Sequence, residues 1–431
     1  MPRKGRKRSQ SLIPDVLSNL PENVIDVILV LLPCKDAVRT SVLSKKWRYH
    51  WCRLTELTLD ASLWKTTKDL LNPTVKFTKI IYQLLSLHEG PITKFTLNMA
   101  FLEKSGPMID NFIYFLSRNG IQHLVIFFPW YHLYKLPSSL FSCSELRHLN
   151  LHNCSIHHPS AFQGFDKLVS LVLCRVTISS ELLESLISHC PLLGRLVLNT
   201  PEVLDTIEIN APVLRSFNFT GNISSICLKN VPLLVKVSLE SDDIRAEDLD
   251  FAKVFESCSA LEHLSLNFFN SQIFAAEGYE APTRLPFDLS VKRFYLPDIY
   301  LVDSYKLSYA LCLIRSSPYL EYLELQVYSE AEDDDGMLEP LEVERFSDVT
   351  FNHLTEVKLD FFGGKMSEMR LIKLFLAKSP MLVRMLIDTC YLDGEPLETR
   401  LKIFAEVSKF VRASPEAEVI YDKFKYHITY I

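Results

Sequence analysis

The chain has 431 residues, 48% of them apolar, and a formal net charge of −6. That length supports a sizeable core, arranged as two or three domains or as one long repeat array. Twelve glycines exclude a glycine-rich or disordered chain, and the acidic balance argues against nucleic acid as the main partner.

Residues 1–11 form a basic tail in which Arg3, Lys4, Arg6, Lys7 and Arg8 cluster. Such a cluster reads as a nuclear import signal or a nucleic-acid patch, or as a solvated tail without fixed structure. The basic start lacks the apolar stretch of a secretory signal, and the longest apolar run, Val27 to Leu32, is too short to cross a bilayer. The expectation is a nuclear and/or cytoplasmic chain with no membrane partner.

Residues 20–51 read LPENVIDVILVLLPCKDAVRTSVLSKKWRYHW. Leu20-Pro21 opens a helix, because proline suits the first turn, where its missing N–H costs nothing. Val24, Ile25, Ile28, Leu29 and Leu32 make one apolar stripe at helical spacing, and Val27, Val30 and Leu31 make the other side apolar too. A short helix apolar nearly all round must be covered on both sides. Pro33 ends it. A second helical stretch is expected from about Asp36, with Ala37, Val38, Val42 and Leu43 apolar and with Trp47 and Trp51 four apart on one face. So small a segment cannot bury that much apolar surface alone, so a partner is implied.

Short strands of the form apolar-x-x-apolar-x-apolar then recur. Their left flanks share one layout: Cys143-Ser-Glu-Leu146, Cys190-Pro-Leu-Leu193, Ala211-Pro-Val-Leu214, Val231-Pro-Leu-Leu234, Cys258-Ser-Ala-Leu261, Ser317-Pro-Tyr-Leu320 and Ser379-Pro-Met-Leu382. Each runs into a strand: HLNL, RLVL, SFNF, KVSL, HLSL, YLEL and RMLI. The proline stops the preceding segment and permits an extended start. This is a leucine-rich-repeat signature of an irregular type. Further strands are expected at Leu54/Leu57/Leu59, Ile92/Phe95/Leu97, Ile121/Leu124/Ile126, Leu168/Leu171/Leu173, Val291/Phe294/Leu296 and Leu354/Val357/Leu359, with helices over Glu181 to His189 and Met369 to Ala377. Between Leu193 and Leu239 the strands at Leu204, Leu214, Ile223 and Leu234 leave no room for helices, so loops or turns are expected on the outer side.

In such an array the alternate strand residues face outward on the sheet. They include His148, Asn150, His152, Arg195, Asn199, Ser216, Asn218, His263, Ser265, Asn267, Tyr322, Glu324 and Gln326. This mixed, hydrogen-bonding set suits a protein target better than a phosphate backbone. No basic cluster is evident there for an inositol phosphate.

The run LPENVIDVIL…DAVRTSVLSKKWR closely resembles the F-box of plant F-box/leucine-rich-repeat proteins, especially those ending in an FBD domain. The carboxy-terminal features FNHLTEVKLDF, SPMLVRMLI and ASPEAEVIYDKF resemble the FBD domain itself. The resemblance implies an α/β fold. A small helical F-box (12–53) is followed by an irregular leucine-rich-repeat solenoid of parallel strands with helices or loops (54–350). An FBD-like capping region (351–431) closes it, with a helix over Leu401 to Val411 and a last strand over Ala417 to Tyr421. In that family the F-box docks a helical adaptor, which joins cullin and RING subunits of an SCF-type ubiquitin ligase. By resemblance Leu20, Pro21, Val24, Ile25, Ile28, Leu29, Leu32, Pro33, Val38, Leu43, Ser44 and Trp47 fall at adaptor-facing or module-core positions. The implied role is a non-catalytic substrate receptor with an unknown protein target. The alternatives are a ligase-independent nuclear repeat scaffold and a small-molecule-dependent receptor.

Other candidate sites fall away. Ser329 to Glu344 partly mimics a calcium loop, with Asp333, Asp335, Gly336 and Glu342 at suitable offsets. Ala331 takes its first ligand position, however, and Pro340 interrupts it, so an exposed acidic insertion is expected. The ten cysteines include no C-x-x-C pair, and His157-His158 precedes a proline in a turn-like setting. No metal, cofactor or intrinsic catalytic site is expected.

Overall fold

The computed structural model describes residues 16, 17, 19–64, 73–100, 102, 108–157, 162, 164–201, 203–241, 250–267, 282–301, 304–328 and 346–422. The basic tail and the acidic stretch 329–344 lie outside the described residues. The chain divides into two compact units, residues 1–155 and 156–431. The division falls inside the repeat array instead of at its ends.

The first unit opens with helices α1 (Glu22–Val30) and α2 (Cys34–Arg39) and two 3-10 segments, Thr40–Val42 and Trp47–Arg53. Then come β1 (Glu56–Leu59), α3 (Ala61–Trp64), α4 (Pro73–Leu87), β2 (Lys94–Asn98), α5 (Met108–Arg118), β3 (His123–Phe127), β4 (Tyr134–Lys135) and β5 (His148–Ser155). Strands β1, β2, β3 and β5 pair in that order, all parallel, and β4 adds beside the end of β5. Parallel neighbours need a crossover, which α4 and α5 supply. Phe77, Ile81 and Leu84 give α4 a buried stripe at helical spacing, and Phe112 of α5 meets Phe95 of β2 edge to face at 4.7 Å.

The second unit contains β6 (Ser170–Thr177), α6 (Ser180–Ser188), β7 (Arg195–Asn199), β8 (Leu204–Asn210), β9 (Ser216–Thr220), β10 (Ile223–Lys229) and β11 (Lys236–Glu240). It continues through α7 (Phe251–Phe255), β12 (His263–Asn267), β13 (Arg293–Tyr300), α8 (Ser304–Arg315), β14 (Tyr322–Tyr328) and β15 (Glu356–Asp360). It closes with α9 (Met366–Lys378), β16 (Arg384–Asp388), α10 (Leu397–Ser408) and β17 (Glu418–Asp422). The sheet order is β6-β7-β9-β11-β12-β13-β14-β15-β16-β17, parallel throughout.

The recurring flank has a physical role. In each repeat the leucine N–H donates to the carbonyl three residues back, as in Leu193 to Cys190 (3.1 Å), Leu214 to Ala211 (3.0 Å), Leu234 to Val231 (3.1 Å) and Leu320 to Ser317 (3.2 Å). The motif is therefore a tight turn whose second residue, often proline, suits the required backbone angle. Its leucine is buried at every one of these positions. Burial then alternates along each strand, so Leu196, Leu198, Phe217, Phe219, Val237 and Leu239 line the interior.

Several sequence expectations are corrected. The second F-box helix is broken, because Thr40 and Ser41 hydroxyls donate back to the carbonyls of Ala37 (2.7 Å) and Val38 (2.6 Å), and the chain tightens into 3-10 turns. The strands at Leu204 and Ile223 do not join the main sheet. Instead β8 and β10 pair with each other as a separate parallel pair, occupying the place where loops were expected. The final helix begins at Leu397 rather than Leu401, directly after Pro396. Helices α4, α5 and α8 and the short β4 were not anticipated individually.

Candidate functional site

The F-box module is built around a few large side chains. Pro21 caps α1, and its carbonyl accepts the Val24 and Ile25 N–H groups, both at 3.1 Å. Pro33 does the same for α2, accepting from Asp36 (2.8 Å) and Ala37 (3.0 Å). The Trp47 indole N–H donates to the Leu17 carbonyl at 2.9 Å, and the Lys46 ammonium donates to the Leu20 carbonyl. His50 Nδ1 lies 3.2 Å from the Asp26 carboxylate. The incoming chain, α1 and the second 3-10 segment are thereby tied together.

The structure splits the twelve F-box residues singled out above. Ile25 and Leu29 are fully buried and Trp47 is 1% exposed, so these three hold the module together and present nothing to a partner. Leu20, Ile28, Leu32 and Ser44 are half-buried, and Pro21, Val24, Pro33, Val38 and Leu43 are exposed. Four residues outside that set are exposed more fully: Val27, Val30, Leu31 at 79% and Val42 at 87%. Their signal was the apolar far side of α1 and the apolar position after Ser41. Val27, Val30 and Leu31 share one helical face by spacing. An apolar face of this kind, open to water on a folded module, is a candidate interaction surface.

The sheet faces carry the second candidate set. In the first unit His148 stacks on His123 with ring centroids 4.3 Å apart, and His152 stacks on Phe127 at 4.1 Å. Asn150 lies between them in the strand and is half-buried. Burial pushes the His152 pKa down; burial, then His123 and Arg147, push that of His148 down.

In the second unit Asn199, Ser216, Asn218, Ser265, Asn267, Tyr322, Glu324 and Gln326 are half-buried, alternating with interior residues as a one-faced sheet requires. Tyr322 Oη donates to Glu324 at 2.7 Å, and Lys358 donates to Glu324 at 2.8 Å and to Asp360 at 3.0 Å. The register brings Arg195, Ser216, Lys236, His263, Arg293 and Tyr322 into one row across six strands. This straight row was not read from the sequence; it does not converge on a point as an inositol phosphate would need. Lys236 and Arg293 were missed; each opens its strand, as Arg195 and His263 open theirs. The Arg293 guanidinium sits 4.5 Å from the Tyr322 ring centre. Burial, then the Arg195 charge, lowers the Lys236 pKa, and burial followed by Arg293 and Lys236 lowers that of His263.

The cysteines are unpaired. Burial pushes the Cys143 and Cys258 thiols up to about 12 and that of Cys190 up to about 11, so they stay protonated near neutral pH. Among the described residues no three His, Cys, Asp or Glu side chains converge as a metal ion would need, and no described helix is long and apolar enough to cross a membrane.

Comparison with known proteins agrees with this geometry. The F-box domain profile matches residues 17–58, and the profile of the leucine-rich repeats of FBD-associated F-box protein At5g56370 matches residues 109–243. The F-box/FBD/LRR-repeat protein At1g13570 of Arabidopsis thaliana is 32% identical over 95% of this chain and 98% of its own length. Two other Arabidopsis thaliana proteins match over shorter stretches. The putative F-box/LRR-repeat protein At3g28410 is 27% identical over 46% of this chain and 41% of its own length. The putative F-box/FBD/LRR-repeat protein At5g22610 is 32% identical over 44% of this chain and 38% of its own length. With an F-box module, a parallel repeat sheet and a full-length relative of the same layout, the chain belongs to the F-box/FBD/LRR-repeat family.

Proposed function

We propose that the chain is the substrate-recognition subunit of a cullin–RING ubiquitin ligase, docking the ligase adaptor through its F-box and a protein target through its repeats. The observation that carries this reading is the set of exposed apolar side chains on the folded module: Val27, Val30, Leu31, Val38, Val42 and Leu43. An apolar helical face of this size suits a helix-in-groove contact with a helical adaptor. The receptor itself does no bond chemistry. It raises the effective concentration of target lysines near the ubiquitin-charged enzyme, and cullin and RING subunits join through the adaptor. The basic cluster Arg3, Lys4, Arg6, Lys7 and Arg8 supports a nuclear and/or cytoplasmic location, tested by following the chain with residues 1–10 deleted.

The test is co-expression with the family's adaptor followed by size-exclusion chromatography. A one-to-one complex that is lost in Leu31→Asp supports the proposal. A well-behaved monomer that ignores the adaptor overturns it.

A further inference from the structure

We propose that the sheet face of the second unit holds a docking row for an acidic peptide segment, formed by Arg195, Lys236, His263 and Arg293.

The four residues occupy the first position of β7, β11, β12 and β13, and the register aligns them with Ser216 of β9 between the first two. Neighbouring strands lie about 4.8 Å apart, so the row runs roughly 19 Å across the sheet. An extended peptide of about six residues covers that distance. Arg195 and Arg293 are exposed, and Lys236 and His263 are half-buried.

The row has no acid of its own among the described residues. The nearby acids have partners outside the row: Glu262 holds Lys292 at 2.7 Å, though its charge also reaches His263, and Glu240, at the far end of β11, accepts from Thr220 at 3.1 Å. Several other cations of this unit are neutralised locally, as Lys229 is by Glu208 at 2.6 Å and Arg384 by Glu356 at 2.5 Å. Lys236 instead has its pKa lowered by burial and then by the nearby Arg195 charge. A like-charged row compensated only in part on a folded surface is relieved by a bound anion.

The neighbouring groups favour a polypeptide over a polyphosphate. Beside the row stand Asn218, Ser238, Ser265 and Tyr295 on the same strands, two positions further along. Amide and hydroxyl groups of this kind can bond a peptide backbone, and carboxylates spaced along an extended chain match the cations Arg195, Lys236 and Arg293 spread over five strands, with His263 as a further hydrogen-bonding group. A compact phosphate cluster would need the cations to converge on a point, which a straight row does not provide.

The inference needs no adaptor, so it is tested separately from the ligase reading. Fluorescence anisotropy of the purified full chain would use three labelled probes. One is a peptide of about eight residues rich in Asp and Glu. The second is its Gln and Asn counterpart, and the third is a single-stranded oligothymidylate of equal charge. The acidic peptide should bind, weaken with added salt and lose about tenfold in affinity in the double variant Arg195→Glu, Arg293→Glu. The variant Lys402→Glu, on exposed α10, should bind as the wild type does. The proposal is overturned if the wild type ignores the acidic peptide, if the neutral peptide binds equally, if oligothymidylate binds more tightly, or if the double variant keeps full affinity. The wild-type arms decide the matter alone should the double variant misfold, which thermal melting would reveal.

Discussion

The ammonium of Lys358 lies 3.0 Å from a carboxylate oxygen of Asp360, a side chain only 1% exposed. Burial pushes the Asp360 carboxyl up, and Lys358 offsets only part of that. Burial would lower Lys358, but its hydrogen bonds to Glu324 and Asp360 together leave it raised. The pair thus survives by mutual support in a poorly solvated place. Lys358→Met should destabilise the chain by about 3–5 kcal/mol, because it strands a buried carboxylate. Adding Asp360→Asn should restore most of the loss. The raised Asp360 pKa means the folded state takes up a proton first on acidification, so the Lys358→Met penalty should shrink as pH falls. Urea unfolding of the single and double variants at two pH values checks this.

In the F-box module, buried and exposed apolar residues should separate cleanly. Ile25→Ala removes a fully buried side chain and should cost about 2–5 kcal/mol of stability. Val42→Asp changes a side chain that is 87% exposed and should leave the melting temperature nearly unchanged while abolishing co-purification with the adaptor. Equal losses of stability in both variants would contradict the assigned surface.

Acid should weaken the fold through its histidines. His88, His148, His152 and His263 all have pKa values below the ordinary 6.5, each chiefly through burial. Their unfolded forms therefore take up protons first as pH falls. The stability they contribute is complete above about pH 6.5 and is lost as pH falls through that value toward their depressed folded values. The melting temperature should drop between pH 7.5 and 5.5, and His152→Gln should flatten part of that drop. An unchanged slope in His152→Gln would show that this ring is not responsible.

Asn153 is nearly buried, has a positive φ of 61°, and donates from its amide to the Pro129 carbonyl. Asparagine tolerates this backbone better than most residues. Asn153→Ala should cost about 2 kcal/mol by stranding that carbonyl and straining the backbone. Asn153→Gly should fall between the two, since it relieves the backbone and not the carbonyl. Denaturant midpoints of the three proteins would order them.

Much of this architecture is legible in the sequence, and what is hidden has identifiable causes. The turn ending in Leu193 or Leu320 is readable because its small residue, proline and leucine are contiguous. The main strands follow directly from it. The β8–β10 pair was not readable, since Ile207, Ile209, Ile226 and Leu228 show the same two-residue alternation as strands of the main sheet. Which side of α1 faces inward was equally hidden, because the helix is apolar on both sides and its packing on the second 3-10 segment selects Ile25 and Leu29. The Arg195–Lys236–His263–Arg293 row requires the register, which relates residues far apart in the chain.

Left-handed backbone recurs among the described residues at one place in the repeat. Asn153, Arg175 and Asp298 have φ values of 61°, 53° and 56°, and each is the sixth residue of its strand; Phe361, at 65°, directly follows the five-residue β15, and Asn230, at 48°, follows the end of β10. At Asp298 the pairing with β14 slips accordingly, between Leu296 and Ile299. In the strands that carry this turn the flat part is therefore five residues, about 17 Å, and offers three side chains to one side. Any partner laid on such a face meets a strip three letters deep. Discrimination must then come from breadth, by spanning many strands at once, and lengthening a footprint by one more letter column requires a whole further repeat of chain.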